Sequence, residues 1–357
     1  MSAHTVTHAP LTSSVSTSSA TWVAVPMGHL DDPLNTFWEL FSLPRGGARW
    51  SLATPRGMAD NGGLVAAVGA GRSALIGIRP SNQLHFSSVN STRDLGTSYA
   101  VGALPRGLID RPDALATSTR NSRLALVAPR EEVLSSSGRL STWSALLTAG
   151  AAAKQPSSAA CRLTSLDAVA FDSSGEPLVG GACNRPGAVG LYDLSGNSIR
   201  PQQVHLAAAM THDTITVLRL DRQGSSTAAL LLARRGHRQT VVAVVRAAPG
   251  RSWQAGAPYP LAAGQQIRAT SSSPAGYGML LSSPDGRLAY VEQTAAGWTR
   301  LPSLPAATSA VVTPAGQPPQ AITVKGSIFG AWRYDPAERR WRHVQSISVP
   351  IQYGSSG

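Results

Sequence analysis

The residues able to do chemistry in this 357-residue chain gather in a few short polar runs. ADNGGL at 59–64 sets Asp60 and Asn61 beside two glycines, which suits a calcium loop, an acid presented on a turn, or a plain Asn-Gly turn. A calcium loop needs further oxygen ligands at alternating positions, and the run lacks them. A turn opening a strand over 62–69, with glycine taking positive φ, is therefore the expectation. RGLIDRPDALA at 106–116 packs Arg106, Asp110, Arg111 and Asp113 into eight residues. Such a cluster could recognise a zwitterionic or carbohydrate ligand, or simply salt-bridge its own loop, where such pairs contribute little. His212 and Asp213 are adjacent, which is not by itself a catalytic dyad. The histidines at 4, 8, 29, 85, 205, 212, 237 and 343 never fall at a metal-ligand spacing from another His, Cys or carboxylate. No metal and no cofactor are expected.

Nucleophile and phosphate signatures are absent. No G-x-S-x-G elbow occurs, because GSIFG at 326–330 carries its serine in the wrong slot. GAGRS at 69–73 is a fragment of a phosphate loop without its Gly-Lys-Ser/Thr. Glutamate is scarce, and Glu39, Glu176, Glu292 and Glu338 fall in or beside strands and turns. A paired-carboxylate site would have to come from loops brought together in space.

The elements that must position these loops are announced by a beat. Trp50, Tyr99, Trp143, Ile199, Trp253, Trp298 and Trp341 recur every 43 to 56 residues. A fixed period in this range, with four short strands per unit, predicts an all-β chain folded as a seven-bladed β-propeller. One unit reads DTITVLRL (213–220), STAALLLARR (226–235), RQTVVAVVRA (238–247) and RSWQAGAP (251–258), with the beat opening the fourth strand. The first beat follows strands expected at 21–26 and 36–42, in a unit that lacks a first strand. The last beat is followed by one further strand near 351–353. Pairing of these N- and C-terminal strands in one shared blade is the expected closure, because it removes exposed edges. Residues 1–20 are Ser/Thr-rich, without the apolar run of a signal peptide, and are expected to be a disordered leader to a single domain over 21–357. LLTAGAAAK at 146–154 alone reads as helix.

Strands near 165–172 and 176–182 place Cys161 and Cys183 at neighbouring ends of a hairpin, within disulfide reach. Two buried free thiols fit the same positions. A disulfide would imply export, to secretion or the cell surface.

Propeller connectivity gathers the connectors between units and the turns between second and third strands on one face. The connectors bring Arg56, Asp60, Asn61, Arg106, Asp110, Arg111, Asp113, His212, Asp213 and Arg268. The turns bring Arg79, Arg130, Arg185, Arg234, Arg235, Arg287 and Lys325, a basic residue in each complete unit. The chain holds 31 Lys+Arg against 19 Asp+Glu, a net charge of +12. Solvated turns favour charged residues anyway, and Arg72, Arg120, Arg123, Arg139, Arg222, Arg339 and Arg340 make the opposite face basic too. Basic residues are not interleaved with aromatics, so no nucleic acid is expected. No run approaches the roughly 18 apolar residues of a membrane span.

AWRYDPAERRWRHV at 331–344 resembles a kelch repeat, as found in galactose-oxidase-type propellers, with Tyr-Asp-Pro ending a third strand and Trp opening a fourth. GWTRLPSLP at 297–305 echoes the same strand. Sialidase-type propellers carry Ser-x-Asp-x-Gly-x-Thr-Trp turns, of which SPDGRLAY at 283–290 falls short. The whole chain also resembles exported propeller proteins of high-GC Gram-positive bacteria through FWELF (37–41), TPRGMADNGGLV (54–65) and IQYGSSG (351–357). These resemblances imply a propeller and export, and no particular activity. The expectation is a monomeric, non-catalytic binding or scaffold module whose loop face takes a protein or an anionic glycan. The alternative is a carbohydrate-active hydrolase or lyase using Asp60, Asp110, Asp113 or Asp213.

Overall fold

Runs of β-branched and apolar residues, punctuated by Gly, Pro and Asn turns, form strands and little else. The computed structural model describes residues 14–29, 36–55, 64–69, 72–77, 89–103, 113–118, 123–128, 132–136, 142–155, 161–195, 198–223 and 225–350. Its strands form five four-stranded antiparallel sheets and one of nine strands.

The first sheet is the meander β1 (Ser14–Ser16), β2 (Ala20–Gly28), β3 (Thr36–Pro44) and β4 (Ser51–Leu52). The second is β5 (Leu64–Gly69), β6 (Arg72–Gly77), β7 (Val89–Thr92) and β8 (Ala100–Gly102). The third is β9 (Ala114–Thr117), β10 (Leu124–Ala128), β11 (Glu132–Ser136) and β12 (Trp143–Thr148). The short helix α1 (Ala149–Ala153) follows, capped by the Thr148 hydroxyl, which accepts from the Ala151 amide. The nine-stranded sheet holds two successive meanders. One is β13 (Leu163–Phe171), β14 (Pro177–Cys183), β15 (Gly190–Ser195) and β16 (Ser198–Pro201). The other is β17 (Thr214–Gln223), β18 (Ser226–Arg235), β19 (Arg238–Arg246) and β20 (Gln254–Ala255), with β21 (Tyr259–Pro260) also on β19. Their strand ladders join at Ala182↔Thr216 and Cys183↔Ile215. Gly180 permits this close approach, since a Cβ there would lie 2.5 Å from a Val217 methyl. Two more meanders end the chain: β22 (Gln266–Ser273), β23 (Gly276–Ser282), β24 (Leu288–Thr294) and β25 (Gly297–Arg300), then β26 (Thr308–Val312), β27 (Gln320–Lys325), β28 (Ile328–Asp335) and β29 (Arg340–Ser348).

Successive meanders pack face to face, giving a multi-bladed, β-propeller-like all-β architecture. The beat residues explain part of the joining. Each sits at or just before a fourth strand, and several donate across to the connector that leaves the preceding unit. Trp143 Nε1 donates to Ala103 O at 2.7 Å, Trp298 Nε1 to Ala257 O at 2.8 Å and Trp341 Nε1 to Pro302 O at 3.4 Å. The Tyr99 hydroxyl donates likewise to Ala53 O. Ile199 keeps the apolar contact and lacks the donor.

The first and last meanders also pack on each other. Phe41 stacks on Phe329 with ring centroids 3.9 Å apart, inside a shared cluster with Val23, Val25, Met27, Ala310, Ile322 and Val324. Trp50 Nε1 donates to Gln320 Oε1 at 2.9 Å. The Gln345 side chain accepts from Trp50 N at 2.8 Å and donates to Trp50 O at 3.0 Å.

One expectation is overturned here. The N-terminal meander does not lack a first strand, because β1 supplies it. Ser14 and Ser16 are small enough to be buried in the crowded centre, where β1 touches β5, β22 and β26. Arg219 of β17 anchors it: Nη2 donates to Ser14 O at 2.9 Å and Nη1 to Thr270 O at 2.9 Å, while Asp221 takes Nε at 2.5 Å. The expected strand at 351–353 lies outside the described residues. The cysteine pairing is present: Cys161 and Cys183 form a disulfide with Cα atoms 5.2 Å apart.

Replacing both cysteines with serine should lower the unfolding free energy by about 3 kcal/mol, measured by denaturant titration of oxidised protein. Arg219→Met should cost about 3–5 kcal/mol, because Asp221, only 10% exposed, is left without its cation. Equal denaturation midpoints for variant and wild type would remove Arg219 as the anchor of β1.

Candidate functional site

In an antiparallel meander, second-to-third-strand turns and the connectors to the next unit lie at the same end of the sheet. That end is the loop face. Of the residues assigned to it from the sequence, Arg56, Asp60, Asn61, Arg79, Arg106, Asp110 and Arg111 lie outside the described residues. Asp113 is half-buried just before β9, its amide donating to Val127 O at 2.9 Å. Arg185 is exposed in the turn after β14, and Arg287 is exposed with its own Asp285 at 3.3 Å. An exposed pair of that kind adds little stability.

The structure draws one tight group together on this face. Asp213 ends the connector from β16 to β17, and its side chain is only 1% exposed. The tip of the β18–β19 hairpin, RRGHR at 234–238, lies over it. Arg235 Nε donates to Asp213 Oδ1 at 2.9 Å, and Arg238 Nη2 donates to Oδ1 and Oδ2, both at 3.2 Å. Ala209 O accepts from Nη2 of both arginines, at 3.4 and 3.3 Å. Arg235 and Arg238 stay about half exposed, at 46% and 50%. They are also a cross-strand pair, so two like charges stand directly opposite, an arrangement that needs a carboxylate to hold it. Desolvation lowers the pKa of half-buried Arg234 alongside. His212 and His237 flank the group and are exposed.

The neighbouring turn is braced against the same connector. Gly187 N donates to Asp213 O at 2.8 Å, and Gly187 takes φ +74° where a Cβ would meet Thr211 O at 2.5 Å. Arg185 N donates to Cys161 O and Asn184 N to Arg162 O, so the disulfide fixes the base of this turn. The expectation that Asp213 is open at a channel mouth is thus corrected. Burial and two guanidinium partners occupy both its oxygens. In this arrangement it orients the two arginines.

Reading the sequence missed Arg238, although its place directly after a Gly-His turn, facing Arg235, was a usable sign. It missed Arg219 and Asp221, whose period-two spacing in an apolar first strand puts both on the central face. It also missed two structured features away from the loop face. TRDLGTSY at 92–99 follows the Ser-x-Asp-x-Gly-x-Thr-Trp pattern with conservative changes, in the β7–β8 turn. There Asp94 Oδ1 accepts from the Ser98 amide at 2.9 Å and the Thr92 hydroxyl at 2.7 Å. Bonds from the Ser98 hydroxyl and amide, then from Thr92, hold its pKa down at about 2. Arg246, fully buried, donates through Nη1 to Asp193 at 2.8 Å and Gln202 at 3.0 Å, with its guanidinium 5.2 Å over the Trp253 ring. Among the described residues, no group of three or more His, Cys, Asp or Glu could hold a metal ion.

No protein-family model matches the chain, and no curated protein matches it. Solved structures are similar over most of its length. A GH74 xyloglucanase from Xanthomonas campestris aligns with TM-score 0.55 and 13% identity, over 91% of this chain and 55% of the other. A protein from Lactobacillus plantarum aligns with TM-score 0.53 and 9% identity, over 93% and 97%. A putative 6-phosphogluconolactonase from Bacteroides uniformis aligns with TM-score 0.52 and 11% identity, over 94% and 98%. Identities this low establish the shared fold and leave function to the site itself.

The Asp94 bonds carry a pH prediction. Its folded pKa lies below the ordinary 3.8, so its contribution to stability is complete above about pH 4 and is lost as pH falls through about 2. Asp94→Asn should remove that part of the acid limb in a stability-versus-pH series. An unchanged limb would show the turn bonds to be unimportant.

Proposed function

We propose that this chain is an exported, seven-bladed propeller that binds an anionic partner, a protein or a glycan, on its loop face and catalyses no reaction. The single observation that carries this reading is the Asp213 group. Of the two described carboxylates offered for catalysis on that face, Asp113 is half-buried and Asp213 is closed off, and the effect of Asp213 is to hold two arginines toward solvent. Preorganised cations of this kind suit recognition, because their geometry is set before the ligand arrives. Arg185, Lys325 and Arg287 extend basic character around the same face. The blade count rests on adding the two meanders of the nine-stranded sheet to the five separate sheets. Export rests on the disulfide. The hairpin of β28 and β29 supports the kelch-like resemblance, with Tyr334 packed on Trp341 at 5.3 Å.

The test is a pull-down and glycan-array comparison of wild type with Arg185→Glu/Arg287→Glu. Charge reversal should weaken capture at least tenfold, about 1.4 kcal/mol. Capture by the variant at wild-type strength would remove the loop face as the binding surface. Turnover of an arrayed glycan by the wild-type protein would replace binding with catalysis.

A further inference from the structure

We propose that Arg235 and Arg238 form a rigid fork for one oxyanion, a sulfate or carboxylate group carried on an anionic polysaccharide. The proposal rests on the loop-face reading above and names its ligand class.

The reasoning begins from what the arrangement is for. Neutralising buried Asp213 requires one cation, and the structure supplies two. Each arginine spends part of its guanidinium downward, on Asp213 and on Ala209 O. Nη1 of both residues and Nε of Arg238 make no bond to the described protein and lie on half-exposed side chains. Five donors in a planar fork match the spacing of oxyanion oxygens, and a buried carboxylate beneath fixes that plane. The ordering entropy is met during folding, so little remains to be lost on binding. A two-residue turn, Gly236-His237, leaves the hairpin tip no slack, and Gly236 takes φ +56°.

The surroundings choose between polymer classes. A protein partner is usually anchored by apolar or aromatic side chains entering a desolvated centre. Neither the connector over 202–213 nor the hairpin tip exposes a large hydrophobic residue; those exposed among the described residues, Leu52, Ile328 and Val344, belong to other units. What surrounds the fork is hydrophilic: His212, His237 and Thr214 are exposed, and the turn carrying Arg185 is braced on the same connector. A chain of regularly spaced anionic groups with a polar backbone suits that surface.

The experiment titrates full-length protein with a heparin fragment, polygalacturonate and sodium sulfate, by calorimetry at low ionic strength. Polygalacturonate carries carboxylates alone and heparin carries sulfates beside its carboxylates, so binding of heparin without polygalacturonate marks sulfate recognition, and sodium sulfate reports the isolated group. Substituting the arginines alone would strand Asp213, so the variant is Asp213→Asn/Arg235→Gln/Arg238→Gln, checked for wild-type circular dichroism. It should bind the preferred polymer at least tenfold more weakly. A second variant, Arg235→Lys/Arg238→Lys, keeps the charge without the fork and should lose several-fold affinity. Wild-type affinity in the triple variant overturns the site, and wild-type affinity in the lysine variant overturns the fork geometry. If wild type captures an acidic protein in the pull-down yet binds neither polymer, the ligand class is overturned while the loop-face reading stands. If wild type binds nothing in either assay, both fall.

Discussion

The meanders β1–β4, β13–β16, β17–β20, β22–β25 and β26–β29 bury apolar side chains on both faces, and much else follows from having to cover them. β18 shows the constraint plainly. Ala229, Leu231 and Ala233 pack against the preceding meander, while Ala228, Leu230 and Leu232 pack against the following one. A strand buried on both sides reads as a continuous apolar run rather than an alternating one. No such unit is stable alone, so each must be sandwiched, and the chain of sandwiches has two uncovered ends unless it returns to its start. The stack of Phe41 on Phe329, with the reciprocal bonds of Gln345 and Trp50, is that return.

Packing sheets face to face leaves little room at the seams, and the polar groups there are used as pins. Arg219 ties three inner strands, two through their carbonyls, at a cost in desolvation offset by Asp221. Arg246 does the same between the two meanders of the nine-stranded sheet, with Asp193 and Gln202 as acceptors and Trp253 below. Asp213 is the third pin, differing in one respect. Its cations reach solvent. The same chemistry that fixes an interior seam elsewhere here leaves donors on half-exposed side chains, which is what the proposed oxyanion fork rests on.

How far the sequence carried this depended on the range of the interaction. The strand at 226–235 matches the structure at both ends, because period-two alternation and turn chemistry are local. The cysteine pairing was legible because a hairpin's register is local too. The short β1 was not: SVS has no pattern of its own, and only Thr270, Arg219 and the β2 ladder make it a strand. Asp213 read as an available acid for the same reason, since nothing adjacent to it in the chain reveals that Arg235 and Arg238 lie over it.

What the amino-acid order settled unaided was the repeat: an all-β chain of short units, each timed by a bulky residue opening a fourth strand. That follows because strand periodicity and turn formation act over a few residues. Which carboxylates are open, which arginines are anchored and where the N-terminus inserts were decided only in three dimensions. Burial and charge pairing depend on distance in space, and residues 22 apart, as with Asp213 and Arg235, or 205 apart, as with Ser14 and Arg219, carry no mark of their meeting until the sheets close.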